Sequence, residues 1–250
     1  MSVLIILGHG SSKHPDSSRS VRMHADILNK EGKFNEVRCA FLKEQPMIDG
    51  CLDGLENESV VLVPDFLAEG YFTRQVIPKK LNLDSLPNNI RYCPPVGTHP
   101  LMADLIVEST HELLGDWKLE QTSLLVVGHG SKKNPCSKQT LLSHLDVISR
   151  VSGFADVSDL WLEEAPYVNS WSESAAEQQV IILPFLLNDG QHGGWDIPQE
   201  IGIMPQQKVH GVTHVLEGKH VRIAPALGKS PRFAEVIDAM AEIWTGNAGL

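Results

Sequence analysis

Cysteine is scarce, and Cys39, Cys51, Cys93 and Cys136 stand too far apart to make a CxxC pair. That spacing excludes a zinc knuckle or an iron–sulfur ligand run of ordinary form, and it predicts reduced, packed thiols. Aromatic residues are only 6% of the chain, and no apolar run approaches the ~18 residues that a membrane-crossing helix needs. The apolar stretch nearest the N-terminus, Val3 to Leu7, is too short for a signal-peptide core. It also lacks a basic leader and a small-residue cleavage site, which predicts a cytoplasmic protein. Positive charge is short as well: 21 Lys and Arg stand against 31 Asp and Glu, a net charge of −10. The deficit is shared evenly, with 12 basic against 17 acidic residues in 1–120 and 9 against 14 thereafter. Without a basic tail or domain, nucleic acid is excluded as the main partner. An anionic small molecule is not, provided local Lys and Arg offset the global field.

What is present is ordinary for a globular chain of 250 residues, with 42% hydrophobic and 21% charged residues. The length suits one large domain or two smaller ones. An internal repeat decides between them. Val3-Leu4-Ile5-Ile6-Leu7-Gly8-His9-Gly10-Ser11 recurs as Ser123-Leu124-Leu125-Val126-Val127-Gly128-His129-Gly130-Ser131, an offset of 120 residues. At the same offset Leu42, Glu44 and Pro46 fall on Leu162, Glu164 and Pro166, Val60 and Pro64 on Val180 and Pro184, and Gly70, Ile77 and Pro78 on Gly190, Ile197 and Pro198. A last block, Pro94 to Pro100, matches Pro225 to Pro231 at an offset of 131, so the second copy carries about 11 extra residues between Pro198 and Pro225. The domains are therefore expected at 1–118 and 119–250.

Within each copy, strand and helix patterns alternate. Val3–Leu7, Val37–Leu42, Val60–Val63 and Ile90–Cys93 read as strands, the first a short apolar run of the kind buried on both faces. Ser17 to Leu28 has helical spacing, and Pro46 suits the first turn of a helix with Ile48, Leu52 and Leu55 on one face. Pro100 can open another. Strands separated by helices predict an α/β fold of parallel sheets with right-handed crossovers, in which ligands bind beyond the carboxyl ends of the strands.

The repeated Gly-His-Gly-Ser loops fall at those ends. His9 and His129 each follow a buried strand between glycines that allow a tight turn. Glu164 follows the strand Val157–Leu162, with Glu44 as its first-copy counterpart, and Glu163 beside it leaves open which carboxylate faces inward. The run from Leu187 to Pro198 leaves the third strand through a glycine-rich loop and presents His192, whose first-copy counterpart is Phe72. The second copy thus offers His129, Glu164 and His192 from three strand ends, whereas the first offers only His9 and Glu44. Two imidazoles and a carboxylate with open positions suit Co(II), Ni(II), Fe(II) or Zn(II). The inserted segment holds His210, His214 and His220, either to pass metal or cap a ligand, or as an exposed hairpin-like loop.

The GHGS loop, the strand-glutamate-proline block and the Gly-x-His-x3-Asp-Ile-Pro block resemble the class II tetrapyrrole chelatases, above all the CbiX-type sirohydrochlorin chelatases in their long two-repeat form. The likeness covers about 1–115 and 122–246. It implies two tandem homologous parallel-sheet α/β domains facing a central cleft that holds the macrocycle. It implies His129 and His192 as metal-binding and proton-accepting residues with Glu164 assisting, and His9, Ser11, Arg74 and Ser131 as substrate-binding. The departure is Phe72, Arg74 and Gln75 where the family has its histidine and acidic residues. The implied activity is insertion of cobalt or ferrous iron into sirohydrochlorin, in cobalamin or siroheme biosynthesis, with the metal as a substrate and no permanently bound cofactor. A polycarboxylate ring needs cationic walls, for which Lys13, Arg19, Arg22, Arg74, Lys79, Lys80, Lys132, Lys133 and Lys138 are candidates. A fused duplication predicts a monomer. The competing readings are a non-catalytic metal or tetrapyrrole carrier, a chelatase for nickel or another ring, and a phosphate-binding α/β protein, the last weakened by the lack of a GxxxxGK pattern.

Overall fold

The computed structural model describes residues 2–12, 15–131, 134–204, 207 and 209–245. The chain forms two compact units, one made of Met1–His99 with Pro231–Leu250 and the other of Pro100–Ser230. No helix among the described residues is long and apolar enough to cross a membrane.

The first unit holds strands β1 (Val3–Gly8), β2 (Glu36–Phe41), β3 (Val60–Pro64) and β4 (Ile90–Tyr92), in the order β2-β1-β3-β4 and parallel throughout. Every residue of β1 and β3 is buried, because helices cover both faces of a parallel sheet. One face packs Val3, Ile5, Leu7 and Leu62 with Ile48, Leu55 and Ile77. The other meets helix α1 (Arg19–Glu31), whose stripe Val21, Ala25 and Leu28 is buried at the expected 3.6-residue spacing. The short helix α2 (Ile77–Leu81) follows a π-helical turn over Phe72–Val76.

The helix expected to begin at Pro46 does not form. After β2 the chain doubles back, so that Phe41 N–H donates to Pro46 O (2.8 Å) and Ile48 N–H to Phe41 O (2.9 Å). It continues in three-residue turns (Cys51 to Ile48, Asp53 to Gly50, Leu55 to Leu52) that leave no run of four-residue helical bonds. The apolar spacing still reports burial, since Ile48 and Leu55 are in the core.

The second unit carries helix α3 (Leu101–Leu114) and strands β5 (Thr122–Gly128), β6 (Asp156–Trp161), β7 (Gln179–Pro184), β8 (His214–Leu216) and β9 (Lys219–Ile223), with helices α4 (Pro135–Val151), α5 (Trp171–Ser174) and α6 (Ile197–Glu200). The sheet order is β6-β5-β7-β9-β8. The first four strands repeat the parallel pattern of the first unit. The inserted segment adds β8 as an antiparallel edge strand, joined to β9 through Glu217 and Gly218, both at positive φ.

The compact units and the sequence repeats differ at their ends. Helix α3 follows β4 in the chain, yet packs on α4 and β7 of the second unit. Helix α7 (Phe233–Thr245) follows β9, yet packs on β3 and α1 of the first. The repeats thus exchange their last helices. Homologous sheets present homologous apolar faces, so either terminal helix can cover either one. Specific contacts accompany the exchange: Phe233 stacks on His24 with ring centroids 5.1 Å apart, and Lys33 pairs with Asp238. At the end of α3, Arg222 Nη1 donates to Leu113 O and Leu114 O (both 2.7 Å), satisfying carbonyls that a helix C-terminus leaves unpaired, and its guanidinium lies 3.9 Å over the Trp117 ring.

Candidate functional site

The chemistry-bearing residues of the second unit converge because β6, β5 and β7 end side by side. Gly128 is in register with Trp161, and the parallel pairing runs one step further, with Leu162 N–H donating to Gly128 O (3.2 Å) and Glu163 N–H to His129 O (3.1 Å). On the other side Phe185 N–H donates to Val127 O (2.8 Å). The His129 loop therefore lies between the chain leaving β6 and the loop leaving β7.

His129 and His192 meet edge to face, with ring centroids 4.8 Å apart and ring planes at 86°. His129 Nδ1 lies 3.0 Å from Gly130 O and 4.0 Å from the exposed carboxylate of Glu163. His192 Nδ1 lies 2.8 Å from Asp196 Oδ2. With Nδ1 engaged in both rings, Nε2 is the nitrogen left for a ligand or a proton. His192 opens a π-helical turn, His192–Asp196, closed by Ile197 N–H on His192 O. This winding brings Asp196, four residues on, back to the ring. π-Turns of this kind recur at functional sites.

Glu164 is placed differently from expectation. Its Oε1 accepts the Ser131 N–H (3.0 Å), and its Oε2 faces Lys138 Nζ (3.4 Å), which also donates to Ala165 O (2.9 Å) and lies 5.2 Å over the Trp161 ring. The carboxylate is a tether for the Gly-His-Gly-Ser loop. Gly130, with φ +76°, takes the left-handed turn over it, and a Cβ there would lie 3.0 Å from Glu164 Oε1. Among the described residues no group of three His, Cys, Asp or Glu side chains is arranged to hold a metal ion, so Glu164 is not gathered as a third ligand with the two histidines. Ser131 is likewise used by the loop: its Oγ accepts the Asn134 N–H (3.2 Å), and Asn134 caps α4 by accepting the Cys136 N–H (3.1 Å).

The first repeat builds the same loop without the same chemistry. Glu44 Oε2 accepts the Ser11 N–H (2.9 Å), and Arg22 Nη2 donates to Glu44 Oε1 (3.0 Å) and to Gln45 O (2.7 Å), with its guanidinium 4.8 Å over Phe41. Burial pushes the Glu44 carboxyl up, but hydrogen bonds from Ser18, the Ser11 N–H and Arg22 outweigh it and hold it below the usual carboxylate range. Arg22 and Lys138 come from helix positions one turn apart yet neutralise equivalent carboxylates. His9 meets Phe72 edge to face at 4.9 Å, so the first repeat keeps the ring contact and lacks the second imidazole.

Of the expected cationic residues, Arg74 pairs with Glu69 on the surface, Nε at 2.8 Å, and Lys80 pairs with Asp49. Arg22 and Lys138 are the loop cations just described. Lys13, Lys132 and Lys133 lie outside the described residues. Asn134 and Asp189 carry no signal in the sequence pattern, and Asp196 enters it only as the acid of the Gly-x-His-x3-Asp-Ile-Pro block. For Asp196 the signal was present, since an acid four residues after a histidine on a helical turn faces it.

The fold is similar to that of a multi-domain protein of Deinococcus radiodurans with structural similarity to chelatases, at TM-score 0.81 and 24% identity over 97% of this chain, which spans 54% of that longer one. It is also similar to CbiX, the terminal enzyme for biosynthesis of siroheme in denitrifying bacteria, at TM-score 0.69 and 22% identity, covering 96% of this chain and 99% of that one. The architecture is thus a chelatase-like α/β fold. In sequence, a "probable sirohydrochlorin cobaltochelatase" of Halobacterium salinarum is 32% identical over 95% of this chain and 89% of its own length. A sirohydrochlorin cobaltochelatase of Methanopyrus kandleri, 26% identical, covers 46% of this chain and 99% of itself, the length of one repeat. Residues 3–113 and 123–242 each match CbiX, and the chain belongs to the CbiX family.

Proposed function

We propose that this protein is a sirohydrochlorin chelatase, a lyase that places cobalt or ferrous iron into the macrocycle, with His129 and His192 of the second repeat at the reacting centre. The observation that carries the reading is the pair of imidazoles at 4.8 Å, each with Nδ1 engaged. Metal and ring are both substrates. The names of the relatives speak for cobalt and for siroheme, and nickel has no such support.

Insertion exchanges a divalent ion for two pyrrole N–H protons. The two Nε2 lone pairs can hold the incoming metal while it sheds water. As the ring nitrogens take the metal, those lone pairs become free to accept the two protons. Asp196 on His192 Nδ1 favours the imidazolium that results and fixes the ring's orientation. Glu163 supplies negative charge near the cation, and Glu164, tethered to Ser131 and Lys138, keeps the His129 loop in shape. Arg74 is proposed to bind a substrate carboxylate. Its pairing with Glu69 is solvent-exposed, and exposed pairs contribute at most about 1 kcal/mol, so a ligand carboxylate can take Glu69's place.

The test is to mix purified protein with sirohydrochlorin and Co(II) or Fe(II) separately and follow the absorbance change of the ring. Turnover with wild type and its loss in His129→Ala and His192→Ala supports the reading. Ring binding without turnover under either metal would make the protein a carrier.

A further inference from the structure

Asp189 lies three residues before His192 and joins the loop after β7 to the chain that follows β9. Its backbone O accepts the N–H groups of Gly193 and Gly194, the two residues after His192. Its side chain reaches the chain that follows β9. Oδ1 accepts the Ala226 N–H (2.8 Å), while Oδ2 pairs with Lys229 and with His210 Nε2 (3.5 Å). Burial pushes the Asp189 carboxyl up, but the His210 and Lys229 hydrogen bonds, the Ala226 N–H and the Lys229 charge outweigh it and hold it well below the usual carboxylate range. The two segments are also closely packed: Gly228 N–H donates to Leu186 O (2.9 Å), and a Cβ on Gly228 would meet Leu187 O at 2.4 Å.

The backbone packing recurs in the first repeat, where a Cβ on Gly97 would meet Leu67 O at 2.2 Å, but the residues that bond the Asp189 side chain are particular to the second. In the first, the position of Asp189 is Glu69, which turns to Arg74 within its own loop. The position of Ala226 is Pro95, which has no N–H to donate, and that of Lys229 is Thr98. His210 sits in the segment that the first repeat does not have. The Asp189 anchor thus occurs where the second histidine occurs, whereas beside Phe72 the loop keeps the backbone contact, Gly97 N–H donating to Phe66 O (2.9 Å), and Glu69 pairs with Arg74.

We propose that Asp189 is a positioning residue for His192, held by Lys229 and by His210 of the inserted segment, and that fixing this loop is a function of the insertion. The inference rests on the assignment of His192 to the reacting centre. Residues that orient a metal-binding histidine typically cost about 10- to 100-fold in metal affinity or activity when removed.

The experiment uses the full chain with His210→Ala, His210→Gln, Asp189→Asn and His192→Ala. It measures kcat, KM for the ring, Co(II) affinity of the protein without ring from the Co(II) absorption bands, and the melting temperature. His210→Ala and Asp189→Asn are expected to lower kcat and Co(II) affinity about tenfold, with ring KM within about twofold of wild type. His210→Gln, which keeps an N–H donor, is expected to return both to within about twofold of wild type. Wild-type kcat and Co(II) affinity in both His210→Ala and Asp189→Asn, beside an inactive His192→Ala, would overturn the positioning role and leave the chelatase reading in place. Losses that follow the melting temperature and are not restored by His210→Gln would also overturn it, since a merely structural contact behaves that way. An active His192→Ala overturns the inference and the assignment beneath it.

Discussion

His129 and His192 stand edge to face at 4.8 Å and 86°, and His9 and Phe72 reproduce the contact at 4.9 Å and 77° in the other repeat. Phe72 fills the space of a second imidazole without its nitrogens. His192→Phe should therefore preserve the fold and abolish insertion. The converse needs two changes, because Val76 stands where Asp196 supports His192. Phe72→His with Val76→Asp should raise Co(II) binding from one to two ions per chain, while Phe72→His alone should bind the second ion more weakly. Equilibrium dialysis counts the ions.

Asp196 accepts a hydrogen bond from His192 Nδ1 at 2.8 Å or receives its charge when the ring is protonated. Asp196→Ala should lower kcat about 10- to 100-fold, with little change in ring KM. A steady-state split of kcat from KM checks it.

Glu164 distinguishes a tether from a ligand. Gln at 164 retains an oxygen for the Ser131 N–H and loses the charge that a metal would require. Glu164→Gln should keep most of the turnover, while Glu164→Ala, which frees the His129 loop, should lose about tenfold or more. Equal losses in the two variants would make the carboxylate a metal ligand after all.

Asp65 is fully buried just after β3, neither of its carboxylate oxygens has a hydrogen-bond partner among the described residues, and Phe185 occupies the equivalent position of the other repeat. Burial pushes its carboxyl up to about 7. In the unfolded chain an aspartate ionises near ~4, so between there and ~7 the folded state alone keeps the proton. Stability is full below ~4, falls as pH rises to ~7 and then levels, a loss on the order of 4 kcal/mol. Asp65→Asn should melt higher than wild type at pH 8 and at the same temperature at pH 4.

The exchange of helices makes a further prediction. A chain ending at Ser230 loses only second-repeat sequence, yet it uncovers β3 and α1 of the first unit. Hydrogen exchange should show protection lost in β1 to β4 and retained in β5 to β9. Phe233→Ala, which removes one fully buried ring from the same face, should cost about 3–5 kcal/mol.

The duplication, the parallel α/β class, the strand-end loops and the pairing of His129 with His192 were legible in the residues alone. Each depends on local pattern: short apolar runs, glycines beside a histidine, and one offset that aligns the blocks. The spacing after Pro46 predicts a helix where the chain forms turns, because apolar spacing reports which residues are buried and not how the backbone between them closes. The tether formed by Glu164, the anchor formed by Asp189 with His210 and Lys229, and the crossing of α3 and α7 were decided only in three dimensions. A carboxylate's role depends on which distant N–H or cation reaches it first. Two repeats of one fold also expose two like apolar faces, between which no periodicity in a helix can choose.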